Sequence, residues 1–142
     1  LEKDVNFWKN KIDSKKVFFY GFVPHKEVSN YLNALDICLL PNQKVVLPYG
    51  AKDIGMNLSE FTSPLKLFEY MSHKKAIIAS DLKVIKEILN TNNSLLVECD
   101  NENEWINAIE KLKEPHNRDI IAKQALKDFN LYTWKNRANV VI

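Results

Sequence analysis

Residues 63–81 read SPLKLFEYMSHKKAIIASD, and two periods meet inside that stretch. The Ser63 hydroxyl can cap free amides and Pro64 suits the first helical position, so a helix starts there and runs to about His73. Ala76-Ile77-Ile78-Ala79 then forms a short, wholly apolar run, the pattern of a strand buried on both faces. The same alternation extends in both directions. Val17-Phe18-Phe19-Tyr20, closed by Gly21, Ile37-Cys38-Leu39-Leu40, stopped by Pro41, and Leu95-Leu96-Val97 read as three further buried strands. Helical spacing links Leu1, Val5, Trp8 and Ile12, and after Pro24 it links Val28, Tyr31, Leu32 and Leu35. Asp81 reads as the cap of a helix carrying Val84, Ile85, Ile88 and Leu89. Helices around Trp105, Ile109 and Leu112, from Ile120 to Phe129, and from near Thr133 onward complete the chain. The pattern predicts an α/β fold: a Rossmann-like, doubly wound parallel sheet with helices on both faces. Such sheets usually have five or six strands, so strands at the front of the domain are expected to be missing.

The chain has 142 residues, enough for one domain and too few for two ordinary ones. With 46% hydrophobic and 27% charged residues it has the composition of a soluble globular protein. No stretch approaches the roughly 20 apolar residues of a membrane span. Twenty basic against eighteen acidic residues leave a net charge of +2, too small an excess to imply a polyanion partner. Eighteen of those basic residues are lysine and two are arginine, which leaves little bidentate readout of bases, so no nucleic-acid partner is expected. Cys38 and Cys99 have no ligand spacing and read as reduced thiols, in keeping with a cytoplasmic location.

The segment from Asn42 to Thr62 shows neither period and carries Pro48, Gly50 and Gly55, which marks it as functional or mobile. In an open parallel sheet ligands bind at the carboxyl ends of the strands. The places to look are therefore Gly21 to Pro24, the loop after Pro41, Ser80-Asp81 and Glu98 to Asp100. The helix opening at Ser63 points its amino end at the same crevice, where free amides and the positive dipole end suit a phosphate. Lys66 and Glu69, one turn apart, can share a face. A carboxylate there can accept bonds from two vicinal ribose hydroxyls, so the set suits a nucleotide, against the plain alternative of a surface Lys–Glu pair. Asp53 and Glu60 show no metal-ligand pattern, and no metal or other cofactor is expected.

The string Ser63-Pro64-Leu65-Lys66-Leu67-Phe68-Glu69-Tyr70-Met71, followed by Ala76 to Asp81, closely resembles the donor-binding signature of group 1 glycosyltransferases, retaining enzymes of the GT-B fold. VFFYGFV (17–23), YLNALDICLLP (31–41), IKEIL (85–89) and YTWKNRA (132–138) resemble the flanking segments of that family in order. The resemblance implies that residues 1–142 are most of the nucleotide-sugar-binding domain of such an enzyme, with 132–142 as its terminal crossover helix. It implies that Glu69 holds the ribose hydroxyls, and that the amides of Leu65 and Lys66 beside Pro64 bind the diphosphate. The Lys66 ammonium, Ser63 and Thr62 would assist, and Gly21, Val23 and Pro24 would line the base. It implies a UDP- or GDP-sugar donor and transfer of a hexosyl-type group, with retention, to a glycan or lipid-linked acceptor, as in polysaccharide biosynthesis. The resemblance also implies an acceptor held through an N-terminal domain missing from this chain, so the isolated chain is expected to be inactive.

The family places a second glutamate against the donor sugar eight positions before the ribose-binding one. Phe61 occupies that position here, and Glu60, one residue earlier, is the candidate catalytic residue. Lys74 and Ala76 replace the family's usual glycine and proline. His25 is either a solvated turn residue or a contact to the donor, whereas His73 is explained by a helix carboxyl end and His116 lies in a connector. Trp8 and Trp105 read as core, and Trp134 packs on either the missing domain or this one. Tyr49 with Val45-Val46-Leu47 suits a lid, an acceptor contact or a touch on the inner face of the membrane. The alternatives to transfer are a GT-B sugar-nucleotide epimerase and a non-catalytic nucleotide-binding or interaction domain of the same fold.

Overall fold

A computed structural model describes residues 2–12, 15–48, 57–61 and 64–141. Three strands, β1 (Ile37–Leu40), β2 (Ala76–Ser80) and β3 (Leu95–Val97), form a parallel sheet in the order β1-β2-β3. Cys38 stands opposite Ile77, Leu40 opposite Ala79, and Ile78 opposite Leu95. Every residue of the central strand β2 is buried, as a strand covered on both faces must be.

Among the described residues seven α-helices and two 3-10 turns accompany it, beginning with α1 (Glu2–Lys11) and α2 (His25–Ala34). Between β1 and β2 lies α3 (Leu65–Ser72), and between β2 and β3 the short α4 (Lys83–Lys86). After β3 come α5 (Glu102–Lys113), α6 (Pro115–Phe129) and α7 (Trp134–Val141), with short 3-10 turns at Leu58–Glu60 and Asn130–Tyr132. Leu67 and Met71 of α3 and Val84 and Ile85 of α4 pack on Leu40, Ile77 and Ala79, one face of the sheet. Ala108 and Leu112 of α5 cover Ala76, Ile78 and Val97, the other face. The alternation along β2 decides which side chain goes where. Helix α6 gives Ala125 to the first cluster and Ile121 to the second. Its start lies at the amino ends of the strands, where Asp119 pairs with Lys74 at 3.2 Å and Arg118 with Asp36 at 3.7 Å. The helix starts use ordinary capping chemistry. The Asn101 side chain accepts from the Glu104 amide at 3.3 Å, and the Glu104 carboxylate accepts from Asn101 Nδ2 at 2.9 Å, while Pro115 opens α6.

Several expectations are corrected. Val17–Tyr20 is not a strand: Phe18 is 70% exposed and Tyr20 66%. Apolar side chains alone do not make a strand, because its amides and carbonyls need a neighbouring backbone. Among the described residues β1 bonds only to β2. The run is held instead by rings, with Tyr20 edge-on to Tyr31 of α2 at 5.2 Å. The sheet thus has three strands among the described residues, where the sequence reading gave four. Trp8 is half exposed and stacks edge-on against Phe7, outside the core. Asp81 does not cap α4, since Leu82 occupies that position without a side-chain bond, and the Asp81 carboxylate pairs with Lys86 at 2.5 Å. Pro64 precedes α3 with extended ψ of 121°, so the helix begins at Leu65. His116 lies inside the first turn of α6. Ser63, Thr62, Tyr49, Gly50, Asp53 and Gly55 lie outside the described residues. Among the described residues no helix is long and apolar enough to cross a membrane.

Candidate functional site

The loop after β1 returns across the carboxyl end of the sheet. Ser80, buried at the end of β2, donates its hydroxyl to the Asn42 carbonyl at 2.7 Å. Lys44 pairs with Glu98 at the end of β3, and that carboxylate holds the ammonium above its ordinary value. The loop is fastened at its neck by Asn57. Its side chain accepts from the Val46 amide at 2.9 Å and from the Ser59 amide at 3.2 Å, and it donates to the Lys44 carbonyl at 2.8 Å. The Leu58 amide adds a bond to the Val46 carbonyl at 2.8 Å. The two described ends of the segment are therefore bonded to each other, which the missing periodicity of the sequence did not reveal. Glu60 sits in the 3-10 turn beyond the neck, against α4, exposed and without an ion pair among the described residues.

Helix α3 carries the other candidates. Leu67 and Met71 face the core, completely buried, while Leu65 and Lys66 are exposed in the first turn, where backbone amides have no intrahelical acceptor. Glu69 lies in the next turn, half-buried. His25, the first residue of α2, brings Nε2 to 3.8 Å from Glu69 Oε1. The residue that follows the Gly21 to Pro24 turn thus reaches the carboxylate of Glu69. Gly21 itself has φ +70°, a conformation that favours glycine. Val23 and Pro24 are half-buried.

The relative setting of α2 and α3 depends on the end of α3. Lys75 donates to the carbonyls of Asn33 and Leu35, at 3.1 and 2.9 Å, satisfying the carboxyl end of α2. His73, explained from sequence by the dipole of its own helix, spans both helices: Nδ1 lies 2.8 Å from the Glu69 carbonyl and Nε2 3.1 Å from Ser29 Oγ. Lys74 has φ +53° in the turn that ends α3, where the Lys74 amide bonds to the Met71 carbonyl and the Lys75 amide to the Tyr70 carbonyl, both at 3.1 Å. This is a Schellman ending with lysine where glycine is usual.

A cleft of about 1080 Å³ opens on the second face of α3, with Leu65, Phe68 and Glu69 on one side and Tyr132, Thr133 and Trp134 on the other. Phe68 and Tyr132 are in ring contact at 5.5 Å. The terminal segment therefore packs along α3, and Thr133 accepts from the Asn136 amide at 3.3 Å to start α7. Sequence reasoning missed this cleft. Its signal was present: Leu65 and Phe68 recur on a face other than that of Leu67 and Met71, so α3 has two apolar sides. Burial pushes the Cys38 thiol up to about 11, while Cys99 is half-buried and also free. Among the described residues no three of His, Cys, Asp and Glu cluster as metal ligands.

A parallel sheet covered on both faces, with a loop, a helix amino end and a carboxylate gathered at one end, defines a Rossmann-like half of the GT-B architecture. The chain belongs to the group 1 glycosyltransferases, whose family model matches residues 2–114. Among 22 matching solved chains, a sucrose-phosphate synthase from Thermosynechococcus elongatus superposes with a TM-score of 0.74 at 19% identity, covering 99% of this chain. The chain spans 32% of the length of that protein. No curated protein sequence is matched.

Proposed function

We propose that this chain is the donor-binding domain of a glycosyltransferase, with Glu69 accepting both ribose hydroxyls of a nucleoside-diphosphate sugar. The Val23–Pro24 turn meets the base, and the Leu65 and Lys66 amides with the Lys66 ammonium hold the diphosphate. The observation that carries this reading is the meeting of the His25 turn with Glu69, one turn inside a helix whose amino end is open to an anion. A parent enzyme would work by positioning and by stabilising charge on the departing diphosphate, without a metal step. A hexosyl group would pass with retention to a glycan or lipid-linked acceptor bound by a further domain, with Glu60 on the sugar side. The chain alone would then bind donor without turning over. Exposed Phe61 (75%) at the family's glutamate position favours a second reading, a non-catalytic domain of the same fold.

The test is a thermal-shift panel of UDP, GDP, ADP and their sugars on the chain and on Glu69→Ala. A ligand at a hundred times its dissociation constant adds about 2.7 kcal/mol to stability. A shift for one diphosphate series, lost in Glu69→Ala, supports the reading. A shift that survives Glu69→Ala unchanged overturns the ribose assignment, and no shift with any nucleotide overturns the donor site of this chain.

A further inference from the structure

His73 stands out because both of its ring nitrogens are used across a helix boundary. A carbonyl oxygen can only accept, so the 2.8 Å contact to Glu69 requires the proton on Nδ1. In the neutral ring Nε2 is then the acceptor, and Ser29 donates its hydroxyl across 3.1 Å. The Ser72 hydroxyl also donates to the Glu69 carbonyl, at 2.8 Å, and lies 3.0 Å from His73 Nδ1, which steadies the ring. One end of this bracket is thus the backbone of the very residue whose carboxylate faces the ribose in the reading above. The other end is the middle of α2, whose first turn carries Pro24 and His25. The other described links are few in kind: Leu32 is the buried residue of α2, Lys75 holds its carboxyl end, and the His25–Glu69 pair is exposed.

We propose that His73 is a positioning residue that fixes the base-side turn of α2 relative to the Glu69 carboxylate and so sets which nucleobase is accepted. The proposal rests on the donor reading. Base and ribose are joined at fixed length, so a site that holds one on α2 and the other on α3 discriminates bases only while the two helices keep one spacing. Loosening the bracket lets the turn adapt to a wrong base. It leaves the diphosphate and ribose contacts on α3 unchanged.

Three variants separate this role from general stability. His73→Asn keeps a donor near the Glu69 carbonyl but cannot reach Ser29, Ser29→Ala removes the far partner alone, and the double variant tests whether the two act as one. Amide hydrogen exchange over residues 27–34 is expected to quicken equally in both single variants, with no further change in the double variant. Exchange in α5 and α6 should stay as in the parent chain. The preference for the best over the next-best nucleoside diphosphate is expected to fall roughly 2- to 12-fold, one hydrogen bond's worth, while ribose 5-phosphate binding holds. Unchanged exchange over 27–34 overturns the bracket. Equal weakening of every ligand, ribose 5-phosphate included, makes His73 merely structural and overturns the selectivity role. Loss of the donor reading shows separately, as nucleotide binding by the parent chain that Glu69→Ala leaves intact.

Discussion

His25 Nε2 lies 3.8 Å from Glu69 Oε1 with the imidazole almost wholly exposed (94%) and the carboxylate about one-third exposed (37%). At that distance and exposure the pair is screened and contributes little to stability. Its significance is geometric: it brings the start of α2 to the second turn of α3 while leaving the carboxylate free for stronger donors.

The first prediction concerns that carboxylate. Bonds from hydroxyls to a charged acceptor are each worth about 1.5–3 kcal/mol, so Glu69→Ala, which removes two, should weaken nucleoside diphosphate binding by about 100-fold or more. A 2′-deoxy ligand should lose about half of that free-energy difference, because it lacks one of the two hydroxyls. Calorimetry on the ribo and deoxy pair, with and without Glu69, checks it. Equal losses for both sugars would reject the ribose contact.

Lys74 occupies the left-handed region with φ +53°, a conformation that costs an L-residue about 1–2 kcal/mol relative to glycine. Lys74→Gly should therefore stabilise the chain by about 1 kcal/mol, the exposed pair with Asp119 returning only a small part. Lys74→Ala keeps the strain and loses the pair, so it should be no more stable than the parent. Denaturant midpoints of the three proteins decide the matter.

Asp119 accepts from Lys123 at 2.5 Å and from Lys74 at 3.2 Å, and these partners hold its carboxyl below the ordinary 3.8. A carboxyl depressed in the folded state stabilises above its unfolded value and loses that contribution as the pH falls through the folded one. The melting temperature of the parent should accordingly exceed that of Asp119→Asn by a constant margin from pH 7 to about pH 5, and the margin should close below about pH 4. A margin that widens with acid would contradict the sign.

Thiol reactivity should divide the two cysteines. Cys38 is buried with its thiol pushed up to about 11, leaving about one part in a thousand as thiolate at pH 8. A thiol reagent should label Cys99 in the folded chain and reach Cys38 only on unfolding. Rapid labelling of Cys38 in native buffer would refute the burial.

The helices and strands around 63–81 were legible because a wholly apolar run flanked by a proline-opened helix has few other solutions. The places of Lys66 and Glu69 one turn apart on α3 followed from helical spacing, whereas Leu65 and the roles given to all three came from the family resemblance. Val17–Tyr20 was misread because side-chain chemistry does not say where a pairing backbone lies. Lys75 and His73 sit at the end of α3, where the dipole offers a sufficient local explanation, yet they bond to α2. No local pattern contains that information. The Asn57 neck was hidden likewise, since Val46 and Lys44 lie 11 and 13 residues away in a segment without periodicity.

Asn57→Ala should open that neck. Losing its three bonds is worth about 1–2 kcal/mol at a partly exposed site, a factor of about 5–30 in the open population. Cleavage of residues 44–60 by a protease should accelerate by that factor, with the rest of the chain resistant. An unchanged cleavage rate would show that the Leu58 bond and Ser59 suffice.

The neck also makes the chain modular at this point. Lys44 to Val46 and Asn57 to Ser59 are tied to each other, to the end of β2 through Asn42 and Ser80, and to the end of β3 through Glu98. Because the described ends are closed on each other, lengthening the chain between them costs only about 0.6 kcal/mol per doubling. Changes of length or sequence between the ties are therefore expected to leave the sheet beneath them folded, which makes this the point where the chain tolerates exchange.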